Sequence, residues 1–485
     1  MQLDLIPATA RVIDVRSGQC LDYQALLRAV AQRSRLLRKE GVGAGSIVAM
    51  CHSEGVVLLA DLFATWALGA TALVLSPSLT AFERNRICAW VKPRCWVGQL
   101  ESSHIPSVPA ELQSMDSAER EVGLSGPPTD SPALLLLTSG STGAPKGVSL
   151  SYRALETRLS SNVAHIGKAN LARTLVPLPM HFGHGLIGNT LTPLLAGCDV
   201  LLWSEPGVDG LAQLGAVIDE HGVTFLSSVP SMWRIGLKLS AAPHRRTLKR
   251  IHVGSEPLPA ALWRGICEWA GTKYVYNMYG MTEAANWISG TSAEAAGFVE
   301  GAVGRPWSGN CWILLEDGSI AEKGEGEILL RDPALMNGYW NDPDSTAAAF
   351  HGSWFKTGDI GEISSDGQLR ILGRRKHQIN RAGIKVTAEE IELLLEQHPE
   401  VQDVCAFGLP DAVSGEVVVA AVVTKNGQRI SEATIQAWCA ERLRREAVPS
   451  RIIFLNDIPR NERGKKVRSE VRIKVSALLG REVRL

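Results

Sequence analysis

An α/β fold with a large N-terminal domain and a small C-terminal one is predicted by three observations. Short apolar runs alternate with helical patterns through most of the chain, which implies largely parallel sheets. The pattern changes near residue 318 to short strands separated by turns, a β-barrel-like subdomain. A compact α+β tail of about 110 residues follows, well within the usual domain range. The chain has 485 residues, 45% of them hydrophobic and 21% charged, which is ordinary globular composition. Fifty basic and fifty acidic side chains cancel. That balance argues against a protein whose main task is coating nucleic acid or anionic membrane. Nine cysteines, scattered from Cys20 to Cys439 with no CxxC pair, argue against a disulfide scaffold or zinc ribbon.

The elements follow in order. Residues 23–38 have helical periodicity, and 47–50 form a buried strand. The most apolar stretch, 56–79, divides into 56–68 and 71–75, since Asp61 interrupts it and Gly69 and Pro77 punctuate it. A bilayer span needs about 20 predominantly apolar residues with few charges, so a buried helix followed by a buried strand is expected instead. Residues 106–130 are polar and loop-like. Strands are expected at 133–137, 200–202 and 224–226, with a helix at 211–220. Strand and turn signals then alternate from 318 to 373. The tail carries a helix at 388–397, strands at 401–407 and 417–423, and a helix at 431–445. The N-terminus lacks the basic start and apolar run of a signal peptide, so the expected location is the cytoplasm.

The most informative segment is Leu134-Leu135-Leu136-Leu137-Thr138-Ser139-Gly140-Ser141-Thr142-Gly143-Ala144-Pro145-Lys146-Gly147. A buried strand enters a loop of hydroxyls and glycines with one lysine. Glycines let backbone N–H groups approach an anion, hydroxyls donate to phosphate oxygens, and the lysine supplies charge. No Gly-Lys-Ser/Thr ending is present, so this is not a Walker A loop.

This loop resembles the phosphate loop of adenylate-forming enzymes, the superfamily of acyl-CoA synthetases, carrier-protein adenylation domains and firefly-type luciferases. Further motifs of that family follow in order over almost the whole chain. Leu21-Asp22-Tyr23-Gln24-Ala25-Leu26 resembles the first, and Gly254-Ser255-Glu256-Pro257-Leu258-Pro259 the adenine-side loop. Tyr279-Gly280-Met281-Thr282-Glu283 is similar to the Tyr-Gly-x-Thr-Glu motif. Gly326-Glu327-Ile328, Met336-Asn337-Gly338-Tyr339-Trp340 and Trp354-Phe355-Lys356-Thr357-Gly358-Asp359 resemble the next ones. Residues 373–392 resemble the hinge motif, and 459–465 the terminal lysine motif.

The resemblance implies ATP-dependent activation of a carboxylic acid as acyl-adenylate, with pyrophosphate released. The acyl group then passes to a thiol, either CoA or the phosphopantetheine of a separate carrier protein. It implies domains of 1–374, binding ATP and the acid, and 375–485, mobile and carrying the catalytic lysine. That lysine is Lys465, bridging carboxylate and α-phosphate, although its neighbour Lys466 competes for the assignment. Glu283 is implied as the Mg²⁺ ligand, Thr282 as an α-phosphate contact and Tyr279 as the adenine platform. Thr138, Ser139, Gly140, Ser141, Thr142, Gly143 and Lys146 would hold phosphate. Ser255, Glu256, Pro257, Asn277, Gly280 and Met281 would complete the nucleotide site. Asp359 is implied as acceptor of both ribose hydroxyls, Arg374 as a donor to sugar or phosphate, and Lys376 as the hinge.

Residues 370–385 carry six Lys/Arg and no carboxylate. Such a run is a solvated face or a surface for CoA phosphates or an acidic carrier. The acid pocket departs from the family. In Pro179-Met180-His181-Phe182-Gly183-His184-Gly185-Leu186 the aromatic and histidine of the fourth motif are exchanged. Amino-acid-activating relatives place an Asp at Phe182 to pair with the substrate ammonium. Phe182 cannot pair with it, and burying an unpaired ammonium is costly, so an acid without a free α-amino group is expected. His184, Trp233, Met281, Asn277 and Trp287 are wall candidates, each with a core role as the alternative. His181 and His184 lack a third ligand for zinc. The competing functions are a free-standing amino-acid adenylation enzyme, a non-catalytic nucleotide-binding regulator and an oxidative, luciferase-like enzyme.

Overall fold

The computed structural model describes residues 7–98, 107–108, 129–139, 145–203, 206–381, 384–411, 414–425, 430–461 and 464–482. Its contacts divide the chain into two compact units, Met1–Asn310 with Arg331–Phe355, and Cys311–Leu330 with Lys356–Leu485.

The first unit holds two mostly parallel sheets. In one, the order is Asn286–Ser292, Val275–Met281, Arg250–Val253, Phe225–Ser228, Arg173–Val176, Asp199–Leu202, Arg11–Asp14 and Cys20–Asp22. All neighbours are parallel except the outermost pair at each edge. The other runs Gly338–Tyr339, Pro145–Ser151, Pro132–Ser139, Thr71–Val74, Ile47–Cys51, Cys95–Gly98 and Ser107–Val108. Its central strands are continuous apolar runs because both faces are covered; every residue of Ile47–Cys51 is buried.

Helix Tyr23–Lys39 starts at Asp22, whose carboxylate accepts the Ala25 N–H at 2.8 Å. Helix Gly55–Ala67 is buried along nearly its whole length. Its one charge, Asp61, is matched by Arg33 at 2.5 Å and His52 at 2.8 Å, which offsets the cost of taking a carboxylate out of water. No described helix is long and apolar enough to cross a membrane.

In the second unit, the strands of the 318–373 region take the linear order Leu369–Arg374, Trp354–Ile363, Gly324–Arg331, Asn310–Leu314 and Ile320–Ala321. They form an open sheet: among the described residues no pairing closes them into the expected barrel. The tail is a sheet of Ile384–Thr387, Gln378–Arg381, Gly415–Thr424 and Val401–Asp411, with Arg451–Phe454 beside Gly415–Thr424. Period-two alternation along its strands feeds two cores. Val404, Ala406, Val418 and Ala420 pack with Ile391 and Ile435 on one face. Cys405, Phe407, Val419 and Ala421 pack with Val471 and Val475 on the other. Those last two belong to helix Arg468–Glu482, an element its sequence conceals, because Ile473 and Leu478 are exposed and blur the periodicity. The helix expected at 431–445 is shorter, Glu432–Ala440, with a separate short turn at Arg445–Ala447.

Candidate active site

Strands Arg173–Val176, Phe225–Ser228, Arg250–Val253 and Val275–Met281 are parallel neighbours, so the segments leaving their carboxyl ends lie along one sheet edge. In open α/β sheets that edge is where ligands bind. The chain leaving the first strand reaches His184, which opens a wide helical stretch, His184–Leu191. There the Thr190 and Thr192 hydroxyls donate to carbonyls five residues back, Gly185 and Ile187. His184 is held at both ring nitrogens: Nε2 lies 2.7 Å from Ser227 Oγ, and Nδ1 lies 3.0 Å from Ser255 Oγ. Its ring meets Trp287 edge-on with centroids 5.7 Å apart. Ser255 has a left-handed backbone, φ 70°. Glu256 beside it accepts from Ser231 at 3.1 Å and pairs with Arg234 at 3.4 Å. Pro257 is exposed.

At the end of Val275–Met281 the register slips between Tyr279 and Gly280. A β-carbon at Gly280 would stand 2.2 Å from the Asn286 carbonyl oxygen, so only glycine fits this approach. The slip is followed by the single turn Thr282–Ala284. Tyr279 is buried and Met281 half-buried.

The phosphate-loop lysine reaches the same turn from the other sheet. Pro132–Ser139 and Pro145–Ser151 are an antiparallel pair that sets Thr138 opposite Lys146, and Thr138 Oγ1 donates to the Lys146 carbonyl at 3.4 Å. Lys146 Nζ donates to Ser345 Oγ at 3.2 Å and stands 4.6 Å from the Tyr339 ring centroid. The Tyr339 hydroxyl donates to Glu283 Oε1 at 3.1 Å, and the Glu283 carbonyl accepts the Met336 N–H at 2.8 Å. Burial first, then the Glu283 carboxylate, push the Tyr339 phenol up, so it stays a donor. Gly140, Ser141, Thr142 and Gly143 lie outside the described residues, as does the side chain of Ser139. Among the described residues no group of three or more His, Cys, Asp or Glu is poised for a metal. The carboxylate oxygens of Glu283 do fit magnesium, which takes one or two protein carboxylates and completes its shell with water and substrate phosphates.

In the second unit Asp359 is buried and receives Arg374 Nε at 2.7 Å across antiparallel strands. Glu327 accepts from Arg375 and, at 3.2 Å, from the Gly358 N–H. Arg381 donates to the carbonyls of Arg445, Glu446 and Val448. Arg374, Arg375 and Arg381 of the basic run therefore have partners inside their own unit. Lys376 follows Arg375. The surrounding protein, then Arg374 and Arg468, lower its pKa.

Lys465 sits in a clasped turn: its N–H donates to Asn461 Oδ1 at 3.0 Å and its carbonyl accepts the Asn461 N–H at 2.9 Å. Lys466 differs sharply from it. Its ammonium is mostly buried, 3.0 Å from Glu396, 3.4 Å from Asp403 and 3.7 Å from Glu392.

Trp233 is no wall residue. It is fully buried in the core with Trp263 and Leu226, and its indole N–H donates to Ser228 Oγ at 2.7 Å. Asn277 is buried too, its amide committed to the Ala302 carbonyl at 2.9 Å. Phe182 is half-buried with its ring 3.9 Å from that of His181. Reasoning from motifs did not single out Tyr339 or Ser227. Tyr339 lies inside a quoted motif, and no pattern along the chain marks Ser227.

This edge, with its lysine–tyrosine–glutamate chain, is the candidate nucleotide site, and the fold around it is that of adenylate-forming enzymes. The AMP-binding enzyme family matches residues 7–340 and the AMP-binding enzyme C-terminal domain matches 390–465. The chain belongs to the AMP-binding enzyme family. It is 30% identical to an oxalate–CoA ligase of Arabidopsis thaliana, over 89% of each chain. It is also 30% identical to a 2-succinylbenzoate–CoA ligase of Geobacillus kaustophilus, over 96% of this chain and 95% of the relative. Among solved structures, the o-succinylbenzoate CoA synthetase of Bacillus subtilis with its acyl-adenylate intermediate superposes with a TM-score of 0.83 at 26% identity, covering 95% of this chain and 94% of that one. A further structure of that enzyme holds ATP and a magnesium ion, with a TM-score of 0.84 at 25% identity and coverage of 96% and 97%. The protein is an ATP-dependent acid–thiol ligase: it forms an acyl-adenylate with release of pyrophosphate and passes the acyl group to a thiol.

Proposed function

We propose that this ligase delivers its acyl group to CoA, acts on an acid without a free α-amino group, and works in the cytoplasm. The CoA ligases among its relatives support the acceptor, and Phe182 supports the absence of an ammonium partner. His184, flanked by Ser227 and Ser255 and backed by Trp287, lines the acid pocket with Phe182 and Met281.

In the first half-reaction a carboxylate oxygen attacks the α-phosphorus and the bond to the pyrophosphate oxygen breaks. Two anions meet, so positioning and charge stabilisation supply most of the catalysis. Thr138, Ser139, Gly140, Ser141, Thr142, Gly143 and Lys146 hold the phosphates. Tyr279 packs on adenine, with Ser255, Glu256, Pro257, Asn277, Gly280 and Met281 around it. Thr282 donates to the α-phosphate. Glu283, oriented by Tyr339, holds magnesium, which neutralises phosphate charge when bound. Asp359 accepts the ribose hydroxyls and Arg374 donates to the same sugar or to phosphate. Lys465 bridges the attacking carboxylate and the α-phosphate. The commitment of Lys466 to three carboxylates favours Lys465 over its neighbour for that role. Residues 375–485 then turn about Lys376 for the second half-reaction, in which the thiol attacks the acyl carbon and AMP leaves.

The observation that carries this reading is the Lys146–Tyr339–Glu283 chain, which joins the phosphate loop to the Tyr-Gly-x-Thr-Glu turn. The test is acid-dependent ATP–pyrophosphate exchange over fatty, aryl, hydroxy, dicarboxylic and amino acids, followed by CoA or a carrier protein as acceptor. Exchange with a non-amino acid and thioester formation with CoA are expected. An α-amino acid as best substrate, or transfer to a carrier alone, would overturn the reading.

A further inference from the structure

The turn that carries Lys465 is anchored from one point. Arg460 and Lys466 pair across its base as an antiparallel bridge, and Val467 N–H donates to the Pro459 carbonyl at 2.8 Å. Gly464, at φ 74°, permits the reversal. Both basal cations reach the same carboxylate. Arg460 Nη2 lies 2.6 Å from Asp403 Oδ2, and Lys466 Nζ lies 3.4 Å from Asp403 Oδ1. The other guanidinium nitrogen of Arg460 donates to the Gly464 carbonyl at 2.6 Å, directly before Lys465.

Asp403 owes its place to an irregularity. Strand Val401–Asp411 pairs with Gly415–Thr424, and the register shifts between Val401 and Asp403. A bulge of this kind re-aims a side chain and recurs next to active sites. The strand then continues with Val404 in one core and Cys405 in the other, so the residue bearing the carboxylate sits on a rigid element.

We propose that Asp403 is a positioning residue for the adenylation half-reaction: by gripping Arg460 and Lys466 at once it fixes the turn that presents Lys465 to the reacting carboxylate and α-phosphate. The inference rests on the role proposed for Lys465. A catalytic group displaced by about 1 Å can lose about 100-fold in rate, and Arg460 is tied to the backbone one residue before that lysine.

The experiment measures both half-reactions on the full chain. Asp403→Asn keeps size and removes the charge. ATP–pyrophosphate exchange is expected to fall about 100-fold in kcat, with KM for ATP and acid little changed. Thioester formation from preformed acyl-adenylate and CoA is expected to stay at the wild-type rate, and Asp403→Glu to recover most of the exchange. Parallel loss in both half-reactions would mean a merely structural role and overturn the proposal, as would undiminished exchange. Where Asp403→Asn fails to fold, Arg460→Gln, which removes the other half of the same pair, is read by the same split. Lys465→Ala runs alongside. Undiminished exchange in that variant would refute the reading of Lys465 itself, whereas its loss without an effect of Asp403→Asn would refute this inference alone.

Discussion

Gly280 shows how much of the site hangs on single atoms. A methyl at this position would meet a backbone carbonyl, the Asn286 oxygen 2.2 Å away, rather than a side chain able to swing aside. Overpacking of this type costs about 1–3 kcal/mol, and the shift would fall on the slip that orients Tyr279 and Glu283. Gly280→Ala should therefore cut ATP–pyrophosphate exchange by about tenfold or more while lowering the melting temperature by only a few degrees. Wild-type exchange would contradict it. Glu389 makes a second case, this time by charge. Burial raises its carboxyl, but the hydrogen bond from His377, together with Arg468 and the His377 charge, outweighs it and leaves the pKa lowered. A carboxyl with a lowered folded pKa adds stability above its ordinary value of about 4.3 and loses it as pH falls through the folded value. Wild type should thus be more stable than Glu389→Gln at pH 7, and their urea midpoints should converge in acid. A gap that persists at pH 3 would sink this account.

At the scale of elements, the wide stretch His184–Leu191 packs against the residues proposed to wall the acid pocket. A β-carbon at Gly188 would come within 2.3 Å of Asn286 Nδ2 and 2.8 Å of the Trp287 ring, the ring that backs His184. Gly188→Ala should raise KM for the acid several-fold and KM for ATP by less, since the phosphate hairpin lies on the other sheet and only the adenine side borders Asn286; a change in the ATP value alone would contradict it. Such a stretch was not legible in the sequence, because its widening depends on hydroxyls and close packing rather than on apolar spacing. Buried strands and the phosphate hairpin were legible, since four consecutive leucines followed by small residues leave few alternatives. The antiparallel region was legible but closure into a barrel was not, because short strands and turns fix antiparallel pairing, whereas closure depends on tilt and stagger that turn signals do not encode. Trp233 stayed open between wall and core because a tryptophan reads alike as either until its N–H partner, here Ser228, is known.

For the whole molecule, the central question is how one chain runs two reactions that need different groups. Lys465 and Asp403 serve the first in the reading above, and nothing in the second calls for a lysine at the α-phosphate once pyrophosphate has left. In the same proposal the second depends on a swing about Lys376. Arg375–His377 is a single short turn between strands Leu369–Arg374 and Gln378–Arg381, the kind of position that absorbs a dihedral change in domain motions. Lys376→Pro fixes φ near −65° and so should act opposite to Asp403→Asn. Exchange should survive, whereas CoA-dependent thioester formation should fall by about tenfold or more. The double variant should lose both, each by about the factor of its single variant, because separate steps are damaged. The assay is the same pair of half-reactions on all three proteins. Loss of exchange in Lys376→Pro, or unhindered thioester formation, would place the hinge elsewhere and require a different division of labour between the halves of the chain.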